Sequence, residues 1–265
     1  MKKKAIFIAS AKGGVGKSTV AKALLEYLRN QKKKDGTAVR VHAYDTDPNV
    51  GQLALAYGLK DKEGEYDVIE NNNRPDAGVL MFDAKSDADK FGDTLDTDAD
   101  IVLMDLPGGL IDLSYVYGDM KSFKDQYRQE GYEIVVLCVI TQVQASGASV
   151  TKVMDIWGDD VTYVVAKNQS FGNDEDFYFF DGELATQFGN PAAKVLAAGG
   201  KIISFPALDH GTFALVDKWL VTFSQAIPRL LSQRGILTGW RIRLTKIEGF
   251  LKQTETCFSS LELIN

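Results

Sequence analysis

Six short apolar runs, each separated from the next by a turn or a helix-like stretch, constrain the fold of this chain most strongly. The runs are KAIFIAS, AVRVHAYD, DIVLMDLP, YEIVVLCVI, VTYVVAKN and KIISFPAL. Runs that are apolar on both faces suit the central strands of a parallel sheet that is covered by helices on each side. The rhythm therefore predicts an α/β fold with a doubly wound, mostly parallel sheet.

Composition is that of an ordinary globular protein. With 45% hydrophobic and 25% charged residues, the 265-residue chain carries enough apolar material for a substantial core. There are only two cysteines, and Cys138 lies inside an apolar run, which predicts a reducing, cytoplasmic compartment. No window approaches the roughly 20 apolar residues that a membrane helix needs. We therefore expect a soluble protein.

Charge is distributed unevenly along the chain. Residues 83–100 hold seven aspartates against two lysines, whereas residues 218–252 hold seven lysines or arginines against Glu248 alone. The formal net charge of −6 argues against a protein that coats nucleic acid with its whole surface. A basic surface is predicted only within the C-terminal stretch.

A glycine-rich stretch, ASAKGGVGKST at residues 9–19, stands between the first apolar run and an amphipathic helical segment. This context is the one that a phosphate-binding loop requires, although the first glycine position of the standard motif falls on Ala11. The glycines permit tight turns that bring N–H groups toward phosphate oxygens at a helix N-terminus. Lys17 is predicted to reach the β- and γ-phosphates, and the Ser18 hydroxyl to bind Mg²⁺. The predicted nucleotide contacts of the loop are Lys12, Gly13, Gly14, Val15, Gly16, Lys17, Ser18 and Thr19.

Lys12 is a positive charge that such a loop does not need. It lies five residues before Lys17, within the loop, and is better placed to point outward than at its own phosphates. The string KGGVGKST resembles the deviant Walker A motif of the ParA/MinD family of dimerising ATPases. The resemblance implies a homodimer in the ATP state, in which each Lys12 neutralises charge on the partner's phosphates during cleavage. A solvated loop lysine is the alternative.

The stretch YDTDPNVGQL follows the second apolar run. Asp45, Asp47 and Pro48 match an Asp-x-Asp-Pro string that the resemblance predicts here. By this resemblance Asp47 positions or activates the attacking water and Asp45 supports the magnesium shell. The family string commonly continues Gln-Gly-Asn, whereas this one reads Asn-Val-Gly. The pattern also fits a helix cap at Asp47 with Pro48 as the first helical residue, and both interpretations can hold together.

Two further strand ends complete the predicted site. DIVLMDLPGG is an apolar strand that ends in an aspartate, the usual form of a Walker B segment, so Asp105 is predicted to hold Mg²⁺ through water. Asn168 resembles the purine-contacting asparagine of the family, and Pro206 falls where the family often has a loop that packs on the base. The guanine-reading Asn-Lys-x-Asp string is missing, which favours ATP over GTP. His42 and His210 are interpreted as structural.

The resemblance also implies a place for DNA. ParA-like proteins of the short form, without an N-terminal DNA-reading domain, bind DNA without sequence preference as ATP dimers and release it when a partner protein stimulates hydrolysis. The basic C-terminal stretch is the candidate surface, with an amphipathic membrane contact of the MinD type or a solvated helix face as alternatives. The predicted DNA contacts are Arg229, Arg234, Arg241, Arg243, Lys246 and Lys252.

These observations predict a P-loop ATPase domain over residues 1–235, with a helical extension over residues 236–265 packed on it. The function implied is a slow, partner-stimulated ATPase that positions or segregates cargo, such as a plasmid or other mobile DNA, with ATP and Mg²⁺ as ligands. A small-molecule phosphotransferase or an ATP-dependent ligase of the same fold is the competing class. A metal-cluster carrier is disfavoured by the two scattered cysteines.

Overall fold

Seven parallel strands form one sheet at the centre of the computed structural model, which describes residues 2–264. The spatial order of the strands is β3-β2-β4-β1-β5-β6-β7, and every neighbouring pair is parallel. The doubly wound fold predicted from the apolar runs is confirmed. The strands are β1 Lys3–Ala9, β2 Val41–Asp45, β3 Leu80–Met81, β4 Ile101–Asp105, β5 Tyr132–Ile140, β6 Thr162–Asn168 and β7 Lys201–Phe205.

Helices connect the strands and cover both faces of the sheet. They are α1 Lys17–Arg29, α2 Gln52–Tyr57, α3 Val68–Asn73, α4 Lys90–Asp93, α5 Ser114–Tyr117, α6 Met120–Gln129, α7 Gln144–Gly147, α8 Ser149–Trp157, α9 Pro191–Ala197, α10 His210–Trp219, α11 Phe223–Ser232 and α12 Trp240–Ser259. No helix among residues 2–264 is long and apolar enough to cross a bilayer.

The two faces of the sheet carry separate apolar cores because successive side chains of a strand point to opposite sides. Along β1, Ile6 and Ile8 belong to the core that α1, α2, α10, α11 and α12 cover. Ala5 and Phe7 belong to the other core, which α6, α8 and α9 cover. All four side chains are fully buried, so β1 is a central strand, as its apolar sequence on both faces predicted.

The C-terminal helix is part of the first core. The Phe250 ring of α12 lies 4.9 Å from that of Phe223 and 5.9 Å from that of Phe205, between ring centroids. Phe258 lies 5.7 Å from Tyr27 of α1. The chain therefore forms a single domain with helices at its C-terminus.

Two local features are absent from the pattern of apolar runs. The edge strand β3 has only two residues, which follow a turn and are too few to give a strand pattern. α11 continues through Pro228 and ends at Ser232. The segment between α11 and α12 contains Gly235 and Gly239, which both have positive φ.

Candidate functional site

Three strands end side by side at the carboxyl edge of the sheet. In the strand register Asp105 lies opposite Ile8 of β1 and Asp45 of β2. The loop that follows β1, residues 10–16, therefore begins next to both carboxylates. Sheets of this type bind their ligands at this edge, where the strand order reverses.

The loop of residues 10–16 leads directly into α1. Gly14 and Gly16 adopt left-handed conformations, with φ of 75° and 90°, which a residue with a side chain would adopt only with strain. Gly16 is the N-cap of α1, and the helix start has no side-chain cap. The first N–H groups of α1 are thus left to a ligand, as in an anion site at a helix N-terminus.

A second glycine loop, after β4, packs against the first. A Cβ on Gly108 would stand only 2.9 Å from the Cα of Gly13 and 3.9 Å from Nζ of Lys17. The N–H of Gly109 donates to the carbonyl oxygen of Ser10 at 3.1 Å. The loop after Asp105 is therefore in direct contact with the phosphate-binding loop.

The two lysines of the loop lie in different surroundings. Lys17 is only 8% exposed and lines the cavity described below. Lys12 is exposed and is absent from the cavity lining among the residues that the structure describes. The role of Lys12 toward a partner's phosphates stays a prediction.

Asp105 is a buried carboxylate at the end of β4. It is 4% exposed, and its Oδ1 atom has no hydrogen-bond partner within residues 2–264. Burial, followed by the nearby charge of Asp45, raises the pKa of Asp105 to about 7, while Lys17 and the Ser18 hydroxyl oppose the shift. An unpartnered buried carboxylate oxygen near a hydroxyl fits a divalent cation, which would supply the missing positive charge.

Asp45 has a structural role that the sequence analysis did not predict. Its Oδ2 atom accepts hydrogen bonds from the N–H groups of Leu53 at 2.9 Å and Ala54 at 3.0 Å. It thereby caps the N-terminus of α2, whose own N-cap residue is Gly51. Burial is the main reason that the pKa of Asp45 is raised above its ordinary value. A role in the magnesium shell stays a prediction.

Asp47 lines the same cavity. The alternative interpretation, a helix cap at Asp47 with Pro48 as the first helical residue, is wrong, because α2 begins at Gln52. The carbonyl oxygen of Asp47 instead closes a turn by accepting from the N–H of Gly51 at 2.7 Å. Asp47 is therefore not the N-cap of α2, and it lies half-buried at the cavity.

A cavity of about 550 Å³ lies over these loops. One end is walled by the glycine loops, Lys17, Ser18 and Asp47, and the other end by side chains that follow β6 and β7. The predicted residues Gly13, Gly14, Gly16, Thr19 and Asn168 also line it. The remaining lining residues are Val50, Gln52, Gly108, Ser170, Phe171, Leu208, His210, Phe213 and Asp217.

Asn168 connects β6 to the phosphate loop. Its side chain is 2% exposed, Nδ2 donates to the carbonyl oxygen of Val15 at 2.9 Å, and Oδ1 accepts from the N–H of Ser170 at 3.1 Å. A Cβ on Gly16 would lie 2.2 Å from Nδ2. Asn168 therefore holds the shape of the loop, and contact with a base stays a prediction.

Contact of the Pro206 loop with a base stays a prediction. Pro206 is buried and lies outside the cavity lining among residues 2–264, whereas Leu208 of the same loop lines the cavity. His210, Phe213 and Asp217 of α10 line the cavity. Their spacings of three and four residues place them on one face of the helix. His210 was interpreted as structural, whereas it stands in the cavity wall. His42 is buried and bonded to Asp76 at 3.1 Å and Thr97 at 2.6 Å.

The basic residues of the C-terminal stretch are mostly engaged within the chain. Arg229 stacks on Trp219, and Arg234 and Arg241 both stack on Trp240. Arg243 donates to the carbonyl oxygen of Gly211, Lys246 pairs with Asp209 at 3.2 Å, and Lys252 is exposed. Five of the six residues therefore contact other groups of the chain, and DNA binding by this stretch stays a prediction.

A family model described as the CobQ/CobB/MinD/ParA nucleotide binding domain matches residues 6–176, more than half of the chain. The chain belongs to this family. The resemblance to the ParA/MinD proteins that the string KGGVGKST carries is therefore confirmed. The match covers the phosphate loop, the aspartates Asp45, Asp47 and Asp105, and Asn168, whereas α10, α11 and α12 lie beyond it.

Several solved structures are similar to this member of the CobQ/CobB/MinD/ParA family. The MinC:MinD cell division protein complex of Aquifex aeolicus is 15% identical, with a TM-score of 0.47, over 94% of this chain and 96% of that chain. A putative plasmid partition protein of Borrelia burgdorferi bound to AMPPNP is 15% identical, with a TM-score of 0.44, over 77% and 87%. A Cyanothece McdA–ATP complex is 11% identical, with a TM-score of 0.47, over 96% of both. No curated protein sequence matches the chain significantly.

Proposed function

We propose that this protein is an ATPase that forms a homodimer in the ATP state and uses this switch to position or segregate cargo, with plasmid or other mobile DNA as the cargo. A partner protein stimulates its slow hydrolysis. Membership of the CobQ/CobB/MinD/ParA family supports nucleotide binding. The observation that supports a dimer is the different exposure of the two loop lysines. Lys17 is buried at the cavity, whereas Lys12 is exposed beside it.

Each residue of the site has a separate task in this proposal. The glycine loop and the start of α1 bind the phosphates, Lys17 neutralises their charge, and Asp47 orients the attacking water. Ser18 and Asp105 hold Mg²⁺, which stabilises negative charge on the phosphates when it is bound. Lys12 of one protomer reaches the phosphates of the other, as an arginine finger does in trans.

The test compares Lys12→Ala with Lys34→Ala, an exposed lysine on the turn after α1. Light scattering with a non-hydrolysable ATP analogue and Mg²⁺ is expected to show a dimer for the wild type and the Lys34 variant. Lys12→Ala is expected to stay monomeric while it still binds nucleotide. An unchanged ATP-bound dimer of Lys12→Ala would exclude the role in trans.

Asp47→Ala is the complementary variant. Removal of the carboxylate leaves the phosphate contacts intact, so this variant is expected to bind ATP, dimerise and remain dimeric, with phosphate release reduced at least 100-fold. A malachite-green assay of phosphate release gives the rate. Release at the wild-type rate would remove Asp47 from the mechanism.

Nonspecific DNA binding in the ATP state is part of the proposal. Co-sedimentation with DNA in ATP, in ADP and without nucleotide, at two salt concentrations, is the direct measurement. Binding only with ATP and a steep loss at higher salt are expected, since neutralised phosphates release counterions. Equal sedimentation in all three states would contradict a nucleotide switch.

A membrane-associated positioning ATPase is the second candidate, and one surface favours it. Residues 218–247 contain six lysines or arginines and no acidic residue. Leu231 near the end of α11, Ile236 between α11 and α12, and Ile242 near the start of α12 are 47%, 78% and 64% exposed. Exposed apolar side chains among basic ones suit contact with an anionic bilayer. Flotation with phosphatidylglycerol vesicles, lost in Ile236→Glu, would support this candidate.

A small-molecule phosphotransferase or ATP-dependent ligase is the third. It requires neither a dimer nor DNA, so a monomer with ATP turnover that depends on an added small molecule would support it over the switch.

A further inference from the structure

The segment that follows β6 places an aromatic ring in the cavity. Residues 169–181 contain two short 3₁₀ turns, Gln169–Phe171 and Asp174–Asp176. Ser170 and Phe171 line the cavity, and the Phe171 side chain is 43% exposed. Its Cε2 atom lies 3.9 Å from the position of a Cβ built on Gly16. A large exposed ring thus stands directly beside the phosphate loop.

Two further apolar side chains line this end of the cavity, together with the polar residues Asn168, Ser170, His210 and Asp217. Leu208, which is buried, and Phe213, which is half-buried, line it from the β7 side. The N–H groups of the phosphate loop fix where the phosphates of a nucleotide lie. A nucleotide with its phosphates there would have its sugar and base facing the side of the cavity that Phe171, Leu208 and Phe213 line. Aromatic rings favour the flat faces of a base.

One buried lysine contacts the segment at three points. Lys167, the residue before Asn168 at the end of β6, is 3% exposed. Its Nζ atom lies 2.7 Å from Asp181 and 3.1 Å from Asp174, and 5.0 Å from the centroid of the Phe177 ring. One ammonium group thus connects three points of the segment to the sheet. A buried charge of this kind is stable only while its partners stay in place.

We propose that Phe171 stacks on the nucleoside of a bound nucleotide and that Lys167 is the positioning residue that holds the segment of residues 169–181 for this contact. The proposal rests on the nucleotide-binding function proposed above. It adds a stacking ring to the base contacts predicted at Asn168 and Pro206, at a position that no phosphate-loop or Walker motif marks. Loss of this wall weakens binding of the nucleoside and leaves binding of the phosphates unchanged.

Phe171→Ala tests the stacking contact by calorimetric titration with two probes, MgADP and magnesium pyrophosphate. ADP is used because the proposed dimer requires ATP. The variant is expected to bind ADP about 10-fold more weakly, as for loss of one base–aromatic stack, and pyrophosphate as the wild type does. Tyr178→Ala is the matched control, since Tyr178 is 44% exposed in the same segment and lies outside the described cavity lining.

Two results would overturn the stacking contact. One is wild-type ADP affinity in Phe171→Ala, and the other is an equal loss for ADP and pyrophosphate, which would place the effect on the phosphate loop. A wild-type protein that binds neither probe would instead refute the proposed nucleotide function.

Lys167→Met tests the positioning role. Folded Lys167→Met is expected to lose ADP affinity by about the same factor as Phe171→Ala and to keep pyrophosphate affinity, with partial recovery in Lys167→Arg. Asp181→Asn removes one partner and is expected to have a smaller effect in the same direction. Lys124→Met is the control, because Lys124 is also buried, donates to the Trp157 carbonyl oxygen at 2.6 Å, and lies outside the described cavity lining.

The measurement separates positioning from stability. If Lys167→Met unfolds at lower urea but the folded protein binds ADP as the wild type does, the positioning role is refuted. The same holds if Lys124→Met weakens ADP binding equally, because the effect would then follow from the loss of any buried lysine.

Discussion

Substitution of Gly16 by alanine is expected to destabilise the protein through two separable effects. The first is the left-handed backbone at φ 90°, which costs a residue with a Cβ about 1 kcal/mol. The second is steric, because the new Cβ would lie 2.2 Å from Nδ2 of Asn168. Asn168 must then move, which breaks its hydrogen bond to Val15 and leaves a buried carbonyl oxygen unpaired, at about 2 kcal/mol. The expected loss is about 3 kcal/mol.

A double-mutant cycle with Asn168→Ala isolates the second effect. In the Asn168→Ala background the clash is absent and the hydrogen bond is already lost. Gly16→Ala is then expected to cost only about 1 kcal/mol, a coupling free energy of about 2 kcal/mol between the two positions. Gly36→Ala is the control for the backbone effect alone, since Gly36 has φ 84° and nothing within 4 Å of a Cβ.

Urea unfolding followed by circular dichroism gives the four free energies of unfolding. If Gly16→Ala lowers the free energy of unfolding equally in the wild-type and Asn168→Ala backgrounds, the proposed energetic coupling between Asn168 and the loop is refuted. So would a Gly36→Ala cost equal to that of Gly16→Ala, because the backbone conformation would then explain the whole effect.

Two further predictions concern residues outside the cavity. Arg29→Met is expected to lower the free energy of unfolding in urea by about 2 kcal/mol, because the Arg29 guanidinium donates to the carbonyl oxygens of Ala77, Gly78 and Pro75. Arg74→Met is the control, since Arg74 forms an exposed i,i+4 ion pair with Glu70. An equal loss of free energy in both variants would contradict the argument. Burial lowers the pKa of His42 below its ordinary value of about 6.5, so the unfolded chain binds more protons and this group reduces stability as pH falls below that value. The difference in melting temperature between His42→Gln and the wild type is therefore expected to become more favourable to the variant as pH is lowered from 7.5 to 5. A difference that does not change with pH would contradict the lowered pKa of His42. The opposite pH trend from Asp105, whose pKa is raised to about 7, is present in both proteins and cancels in this difference.

The sequence predicts those parts of the fold around the candidate site that lie within a few residues of one another. The strand, glycine loop and helix around Lys17 are a local pattern, and Asp105 follows from an apolar strand that ends in an acid. Asp45 shows where such reasoning stops. Its carboxylate caps a helix that begins seven residues later, and no spacing rule for caps reaches that far.

The other wall of the cavity depends on contacts across the fold. Leu208 and Phe213 line it because β7 and α10 lie beside β6 at the same sheet edge, an arrangement that no local motif encodes. A helical period of three to four residues marks His210, Phe213 and Asp217 as one face. The sequence does not say which face of α10 is toward a ligand. The bond from Asn168 to Val15 spans 153 positions in the chain and was equally invisible.

The strand order has a consequence for synthesis on the ribosome. β1 precedes the other six strands of the sheet in the sequence, but its neighbours are β4 and β5, and β5 ends at Ile140. The phosphate loop that follows β1 therefore gains both flanking strands only after residue 140 has been synthesised. A prematurely terminated product that ends before β4 carries the complete glycine motif on a strand without a sheet, and we expect it to be a target for chaperones and proteases rather than a nucleotide binder.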